Sequence, residues 1–201
     1  DDAMAGGCDL FDMDQLRREN LPEVLDQLYR CKFIDDTGSA FNFQQLLACT
    51  VSDARFKDFT PGADRPFLNN PVVIGYDPAR TRDTAEVVVL AAPATPRGKF
   101  LLLERLSFIN KSWQYQADEI EKLIGRYNVV HVGIDCTGPG AGVFEQVQGV
   151  YPNAEPIHYS VEVKTRLVLK AQSVVVDGRI RWDAEHSDIA PAFLAIKRQS
   201  N

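Results

Sequence analysis

Two aspartates that follow apolar stretches of the chain are the residues best placed to do chemistry. Asp77 comes shortly after Val72–Ile74, and Asp135 ends a similar stretch that begins at Val129. Runs rich in β-branched residues favour strands that are buried on both faces. If the two strands lie side by side and parallel, the two carboxylates meet at one edge of the sheet. Such a pair of hard oxygen ligands is suited to Mg²⁺ or Mn²⁺.

A pair of carboxylates at a sheet edge is one arrangement that can hydrolyse phosphodiester bonds. The reaction needs an activated water, stabilised charge on the phosphate and help for the leaving oxygen, which two divalent ions ~3.5–4 Å apart can supply. Asp77 is the predicted bridging ligand, and Asp135 is predicted to hold one of the ions. Each acid also has a structural explanation, because Asp77 can start a turn at Pro78 and Asp135 can bond to the loop that follows it.

A third carboxylate is expected from a position late in the chain. Asp183, Glu185 and Asp188 are the acids with suitable placement. Asp188 lies in the first turn of the last predicted helix, which runs from about Ser187 to Ile196, and there the helix dipole by itself favours a negative charge. Asp188 is therefore the predicted third metal ligand, with that structural role as its alternative.

The composition predicts a globular domain whose DNA contacts are local. The chain has 201 residues, of which 45% are hydrophobic, enough for one substantial core with a smaller appendage. Its formal net charge of −6 argues against adhesion to nucleic acid through overall charge. Contacts to DNA phosphates would have to come from local basic residues, for which Arg80, Arg82 and Lys164 are the candidates. A solvated surface is the alternative for each of them.

The sequence contains no sign of a membrane or secreted protein. No apolar run approaches the ~20 residues that span a bilayer, and the N-terminus lacks a signal-peptide pattern. The four cysteines form no C-x-x-C pair, so neither a zinc site nor a disulfide framework is predicted. We therefore expect an intracellular protein with reduced thiols.

Alternating strands and helices begin near residue 71 and define the predicted domain. Residues 71–201 are predicted to form an α/β domain with the order β-β-β-α-β-α-β-α, whose first three strands make an antiparallel meander. A helix capped by Ser112 then crosses over to the strand that ends at Asp135, which gives the first strand a parallel partner. Residues 1–70 are predicted to be a helical connector, with helices at Met13–Arg18, Pro22–Tyr29 and Phe41–Val51 and a short strand at Cys31–Ile34.

The later part of the domain admits two interpretations. Pro156–Val161 favours a strand, and Lys164–Val176 favours a helix that a glycine closes. The alternative is a hairpin between Val174–Val176 and Ile180–Trp182 through an Asp-Gly turn. The two interpretations differ in whether residues 174–176 are helical or extended.

Several motifs along the chain together resemble one known family. They are Gly75–Ala79 with Asp83, Gly133–Gly138 with Gly140–Phe144, Lys164–Lys170, and Asp188–Ala190 with Phe193–Ile196. With the order of elements, they resemble the ribonuclease H-like fold, and within it the nuclease domain of the large terminase subunit of P2-like tailed bacteriophages. Upstream, Cys8–Asp12 and Asp58–Pro66 resemble that family's connector between a packaging ATPase and its nuclease.

The resemblance implies a metal-dependent endonuclease that cuts concatemeric double-stranded phage DNA during genome packaging, with two Mg²⁺ or Mn²⁺ ions as cofactors. It implies that Asp77 and Asp135 are catalytic metal ligands. The family's third acid tends to lie on a later helix, which would fall beyond Asn201, so Asp188 is a stand-in. Asp83 also matches the family, and it could assist a metal through water or cap the turn into the second strand.

The resemblance also implies partners and a location. Double-stranded DNA, the ATPase domain of the same polypeptide, a small terminase subunit and a portal protein are the implied partners, and no membrane is involved. The implied location is the cytoplasm of a bacterial host. The chain begins without Met and ends within a helical pattern, so we expect it to be a fragment of that longer polypeptide.

Two other functions stay open from the residues alone. Residues 138–142 form a Gly-rich loop between a strand and a helix, which is a place to bind phosphate in a nucleotide-binding protein. The spacing is not G-x-G-x-x-G, and G-x-x-x-x-G-K-[ST] does not occur in the chain. In the other alternative the acids are structural and residues 1–70 bind a partner, so that the chain is a noncatalytic docking module of the packaging machinery.

Overall fold

A computed structural model describes residues 38–52, 56–80, 84–138 and 140–197. Within them, residues 44–186 belong to one compact unit, and residues 38–43 with 187–197 belong to another. The predicted helices Met13–Arg18 and Pro22–Tyr29 and the predicted strand Cys31–Ile34 lie outside the described residues. None of the described helices combines the length and the apolar character that crossing a bilayer demands.

Helices and strands alternate along the larger unit, and one short helix lies in the smaller one. Serine side chains cap two of the helices by accepting a hydrogen bond from a backbone N–H of the first turn, Ser112 before α2 and Ser160 before α4. The helices are α1 (Phe43–Cys49), α2 (Trp113–Arg126), α3 (Ala141–Val150), α4 (Val161–Val176) and α5 (Ile189–Leu194). The strands are β1 (Thr50–Val51), β2 (Pro71–Asp77), β3 (Ala85–Ala91), β4 (Phe100–Phe108), β5 (Asn128–Asp135), β6 (Glu155–Ile157) and β7 (Ile180–Asp183).

The seven strands form one mixed sheet in the order β1-β7-β4-β3-β2-β5-β6. β2, β3 and β4 are consecutive antiparallel neighbours, and β5 lies parallel beside β2. The predicted meander and the predicted crossover through α2 are therefore confirmed. The helix expected over Phe41–Val51 is shorter than predicted and gives way to β1.

The later part of the domain departs from the predicted order in two places. The strand predicted at Pro156–Val161 ends at Ile157, because Ser160 already caps the next helix. The predicted helix Lys164–Val176 is confirmed and begins earlier, at Val161. β7 is missing from the predicted order. The hairpin alternative is wrong, because Val174–Val176 belong to α4. Only its second segment, Ile180–Trp182, is extended, and it pairs in parallel with β1 and β4.

One face of the sheet is covered by α2 and α3. Alternate residues of β2 and β3 are buried, as expected when one face of a strand meets a core. Asp77 belongs to the other set of β2 residues, so its side chain points to the opposite face. The core on the covered face includes Val72, Ile74, Tyr76, Ile120, Leu123, Val143 and Val147.

The direction of its crossover predicts that α4 lies on the face of the sheet that carries Asp77. The crossover through α2 leads from β4 to β5, whereas the crossover through α4 leads from β6 to β7, in the reverse direction across the sheet. Both connections join parallel strands, and such connections are right-handed in about 98% of cases. Two right-handed crossovers that run in opposite directions place their helices on opposite faces.

The burial of the core under α2 predicts that two isoleucine-to-alanine substitutions differ greatly in their effect on the free energy of unfolding. Ile120 is fully buried, so Ile120→Ala should lower the free energy of unfolding by about 2–5 kcal/mol. Ile109 is 65% exposed, and Ile109→Ala serves as the matched control, with a change within about 0.5 kcal/mol. Urea unfolding followed by tryptophan fluorescence measures both. Equal losses in the two variants would contradict the packing of α2 on the sheet.

Candidate functional site

Asp77 and Asp135, here called the acid pair, occupy neighbouring positions at one edge of the sheet. The ladder between β2 and β5 ends with Tyr76 paired to Ile134, and each acid is the next residue of its strand. Adjacent strands are about 4.8 Å apart, so the two acids are direct neighbours. Asp77 is exposed and Asp135 is partly buried. The predicted placement of the two acids side by side is therefore confirmed.

A one-residue bulge in β5 brings the acid pair level. The ladder skips Val130 between two successive residues of β2. If the register before the bulge continued unbroken, Asp77 would lie level with Ile134, whose side chain is fully buried in the core. Bulges re-aim the side chains that follow them, and this one turns both acids to the same face at the same height.

Two glycines lie next to the acid pair on the same face. Gly75 pairs with Gly133 across β2 and β5, and each precedes its acid by two residues. A Cβ at Gly75 would lie 3.2 Å from Val88 Cγ2, and one at Gly133 would lie 3.2 Å from Ile157 Cδ1. The surface beside the acids is thus formed by bare backbone and two flanking apolar side chains.

The Gly-rich loop after β5 folds back onto Asp135. A Cβ at Gly140 would collide with the carbonyl oxygen of Asp135 and would lie 2.9 Å from Pro78 Cγ. Asp135 Oδ1 accepts a hydrogen bond from the Thr137 N–H at 2.7 Å, so one role of this carboxylate is the structural one that its sequence context predicts. Close packing against the acid explains the glycine at 140 without a bound phosphate.

A buried glutamine ties the loop after β2 to α2. Gln116 is fully buried, and its Oε1 accepts a hydrogen bond from the Tyr76 hydroxyl at 2.6 Å. Its Nε2 donates to the carbonyl oxygens of Ala79 at 2.8 Å and Lys111 at 3.0 Å. Buried polar groups are stable only when they are satisfied in this way. The network holds the residues on either side of Asp77 and Pro78.

Tyr159 lies between β6 and α4, close to the acid pair. Its backbone N–H donates to Thr137 Oγ1 at 2.8 Å, which joins it to the loop after Asp135. Burial raises the pKa of the Tyr159 hydroxyl, and the negative charges of Asp135 and then Asp77 raise it further. The hydroxyl therefore stays protonated at neutral pH and lies within electrostatic range of both acids.

The sequence patterns do not single out Gln116 or Tyr159. Gln116 leaves one signal, because it is a polar residue on the helical stripe that also carries Ile120 and Leu123. Tyr159 leaves none, since it lies in a short connection whose position depends on the pairing of β6. Its nearness to the acid pair is a property of the folded chain.

A further carboxylate, Glu86, lies level with Asp77 on β3 but is engaged elsewhere. The register pairs Glu86 with Asp77 on one side and with Ser107 on the other. Glu86 accepts hydrogen bonds from Arg105 Nε at 2.8 Å and from Ser107 Oγ at 2.8 and 2.9 Å, so its carboxylate is held toward β4. In the part of the chain that the structure describes, no group of three or more Asp, Glu, His or Cys side chains is arranged to hold a metal.

The other predicted site residues lie in different places. Asp188 precedes α5 in the smaller unit, and its side chain makes no capping hydrogen bond to that helix. Arg80 is exposed in the loop after β2, and Lys164 is exposed in the first turn of α4. Arg82 and Asp83 lie outside the described residues. The roles of all these residues stay predictions.

The donor atoms of the acid pair fit a hard divalent cation. Both side chains are short carboxylates on the ends of paired strands, and Mg²⁺ is typically bound by one or two carboxylates with water and phosphate oxygens as the other ligands. The partial exposure of the pair leaves room for those ligands. The carboxylates of the acid pair are therefore ligands of the right kind for a metal. Two of them alone do not make a complete metal site.

Comparison with known proteins finds relatives among phage packaging proteins. Residues 74–201 match the family described as terminase RNase H-like domain, and residues 1–48 match the T4-like-virus type N-terminal family of the terminase large subunit. The chain is 44% identical over 199 residues to the terminase ATPase subunit of Escherichia phage P2, covering 98% of this chain and 34% of that one. It is 44% identical over 202 residues to the probable terminase ATPase subunit of Haemophilus phage HP1, covering 100% of this chain and 33% of that one. The chain thus spans about a third of the length of these curated relatives.

Solved structures that align with the chain include nuclease domains of phage large terminases. The magnesium-bound large terminase nuclease of thermophilic phage G20c aligns with a TM-score of 0.63 at 17% identity, covering 82% of this chain and 84% of that one. The nuclease domain of the large terminase subunit of bacterial virus Sf6 aligns with a TM-score of 0.53 at 16% identity, covering 81% and 84%. At these identities the likeness shows the fold, and it confirms the predicted ribonuclease H-like class.

The packing of the Gly-rich loop predicts that alanine at Gly140 and alanine at Gly142 change the free energy of unfolding in opposite directions. Gly140→Ala forces a Cβ against the Asp135 backbone and should lower the free energy of unfolding by about 1–3 kcal/mol. Gly142 lies in α3 with open space around it, so the control Gly142→Ala should raise stability by up to about 1 kcal/mol through helix propensity. Urea unfolding measures both. Full stability of Gly140→Ala would show that the loop does not pack on Asp135.

The buried hydroxyl of Tyr76 predicts a loss of stability in alkali. Burial, and then the negative charge of Asp77, raises the pKa of Tyr76 well above its ordinary value. Since the unfolded chain loses this proton near pH ~10 and the folded chain only at higher pH, the free energy of unfolding should fall as the pH rises above about 10. Tyr76→Phe should make that fall shallower.

The measurement is urea unfolding at a series of pH values on either side of the ordinary pKa of tyrosine. Tyr115→Phe, at a ring that is 39% exposed, is the control for removing a phenol. The same slope in Tyr76→Phe and in the unaltered chain would contradict a buried, neutral Tyr76.

Proposed function

This chain belongs to the terminase RNase H-like domain family, and we propose that it is a metal-dependent endonuclease that cuts concatemeric double-stranded phage DNA during genome packaging. Family membership establishes a nuclease-like domain of a terminase large subunit, a protein of phage DNA packaging. The cutting reaction and its use of metal go further, and they rest on the acid pair.

The observation that carries the proposal is the level placement of Asp77 and Asp135 at an accessible sheet edge. Two adjacent carboxylates repel each other, and a cation between them removes that cost. The bulge and the network around Gln116 hold both acids in this arrangement. The related G20c nuclease has been solved with bound magnesium and with bound cobalt, which supports the same chemistry at this edge.

In the proposed reaction, Asp77 and Asp135 would hold two Mg²⁺ or Mn²⁺ ions. The ions supply an activated water and offset charge on the phosphate and on the leaving oxygen. The chain's own part is to fix the two carboxylates on rigid strand ends. Arg80, Arg82 and Lys164 are proposed to neutralise DNA phosphates, because phosphate contacts by basic side chains position a duplex.

A third acid is needed to complete this site. Asp188 is the proposed source within the chain, with Asp83 as an assisting residue that acts through water. A later acid of a longer polypeptide is the alternative source. The variant Asp188→Ala decides between these sources, because metal binding is unchanged when the ligand lies elsewhere.

The proposed partners follow from the longer relatives. Residues 1–70 are proposed to connect the nuclease domain, residues 71–201, to an ATPase domain of the same polypeptide, and the match of residues 1–48 to a terminase N-terminal family supports this. A small terminase subunit and a portal protein are further proposed partners. The proposed place of action is the cytoplasm of the host bacterium, where phage DNA is packaged.

Removing either acid of the pair should weaken metal binding. Asp77→Asn and Asp135→Asn should each weaken Mn²⁺ binding by at least about tenfold, because each loses a charged oxygen ligand. Titration of Mn²⁺ followed by electron paramagnetic resonance measures this without turnover. Asp177→Asn, which changes the acid at the C-terminal end of α4, is the matched control with unaltered binding.

Cleavage of supercoiled plasmid in Mn²⁺ tests the reaction itself. Loss of cleavage in Asp77→Asn but not in Asp177→Asn would support the endonuclease. Unaltered Mn²⁺ binding in both variants of the acid pair would refute the metal site. If the unaltered chain binds Mn²⁺ at the acid pair but the Asp77→Asn variant still packages DNA normally, the result would favour the noncatalytic docking module.

A further inference from the structure

The backbone of Tyr159 is held beside the acid pair by a short chain of contacts. The ladder between β5 and β6 ends with Asp135 paired to Ile157, and Tyr159 follows two residues later. Its N–H donates to Thr137 Oγ1, and the Thr137 N–H donates in turn to Asp135 Oδ1. Ser160, the next residue, caps α4. The bond to Thr137 and the start of α4 at the next residue therefore fix the backbone of Tyr159 relative to the acids.

The side chain of Tyr159 has a different environment from the buried tyrosines. The hydroxyl groups of Tyr76 and Tyr127 donate to side chains within the fold, at 2.6 and 2.7 Å, and these bonds account for both residues structurally. The Tyr159 ring is 40% exposed, and the negative charge of both acids acts on its hydroxyl. A partly exposed residue with a hydroxyl donor is thus present at the edge where the proposed reaction occurs.

We propose that Tyr159 is a substrate-contacting residue whose hydroxyl donates a hydrogen bond to a phosphate of the DNA strand bound at the acid pair. This inference rests on the proposed nuclease function and names a residue of the same site.

The chemistry of a phenol suits this position better than a basic side chain would. A lysine or arginine in direct contact with the acid pair would form an ion pair with the carboxylates and would compete with the metal for them. A neutral hydroxyl offers a phosphate oxygen a hydrogen bond without that competition. Hydrogen bonds to charged groups contribute more than those between neutral groups, so the contact should be measurable.

The test compares Tyr159→Phe, which removes only the hydroxyl, with Tyr159→Ala, which removes the ring as well. Binding of a labelled duplex oligonucleotide to the chain is measured by fluorescence anisotropy, with Ca²⁺ in place of Mn²⁺ to prevent cleavage. Tyr159→Phe should bind DNA roughly tenfold more weakly, as expected for a lost hydrogen bond to a charged oxygen. Mn²⁺ binding in the absence of DNA should be unaltered, because the hydroxyl is not a metal ligand.

Tyr151→Phe is the matched control, because its hydroxyl bonds to the Val129 carbonyl at the opposite end of β5 and should not affect DNA binding. Wild-type DNA binding in Tyr159→Phe with a loss only in Tyr159→Ala would overturn the hydrogen bond, since the ring alone would then be responsible. An equal loss of Mn²⁺ binding in Tyr159→Phe would overturn it too, because the residue would then act through the metal.

The outcome also separates this inference from the proposed function. If the chain binds and cleaves DNA and Tyr159→Phe does so equally well, only the role of Tyr159 fails. If the unaltered chain neither binds duplex DNA nor holds Mn²⁺ at the acid pair, the proposed function fails and the inference fails with it.

Discussion

The parallel pairing of β2 with β5 is the interaction on which the candidate site depends. Successive side chains of a strand point to opposite faces, so a slip of one residue would exchange core and surface along the whole strand. The bulge at Val130 is a slip of this kind, placed so that the residues before and after it are each in register. It aligns Asp77 with Asp135 while Tyr76 and Ile134 stay together in the core.

The same pairing links the site to the hydrophobic core. Tyr76 is buried next to Asp77, and its hydroxyl is satisfied by Gln116, which also holds the loop after the strand. A buried polar group that loses a partner costs free energy comparable to a lost hydrogen bond. Movement of the loop would therefore leave polar groups unsatisfied in the core. The hydrogen bonds of Gln116 thus hold the chain on either side of Asp77, and the packing of Gly140 holds the backbone of Asp135.

The nearby Glu86 has a clear partner for its charge within the sheet. Glu86 is matched by Arg105 at 2.8 Å, so its charge is compensated within the sheet. The acid pair shares one edge, and its proximity acts on the Tyr159 hydroxyl as well. In a chain of net charge −6, a second cluster of negative charge is costly unless a cation or a donor group offsets it. Glu86 thus has a structural role within the sheet, whereas the acid pair lies at the strand ends with donor atoms of the kind that a divalent cation prefers.

By itself the sequence determined the local elements and the residues at their ends. β-Branched runs, the serine cap at Ser112 and the helical stripe of α2 are short-range patterns, and they were enough to predict the meander, the crossover and the adjacency of Asp77 and Asp135. Only the tertiary structure decided the parallel docking of β7, the bulge and the nearness of Gln116 and Tyr159 to the acids. Each of these is a contact between residues far apart in sequence, and no local preference specifies which distant strand or loop a residue will meet.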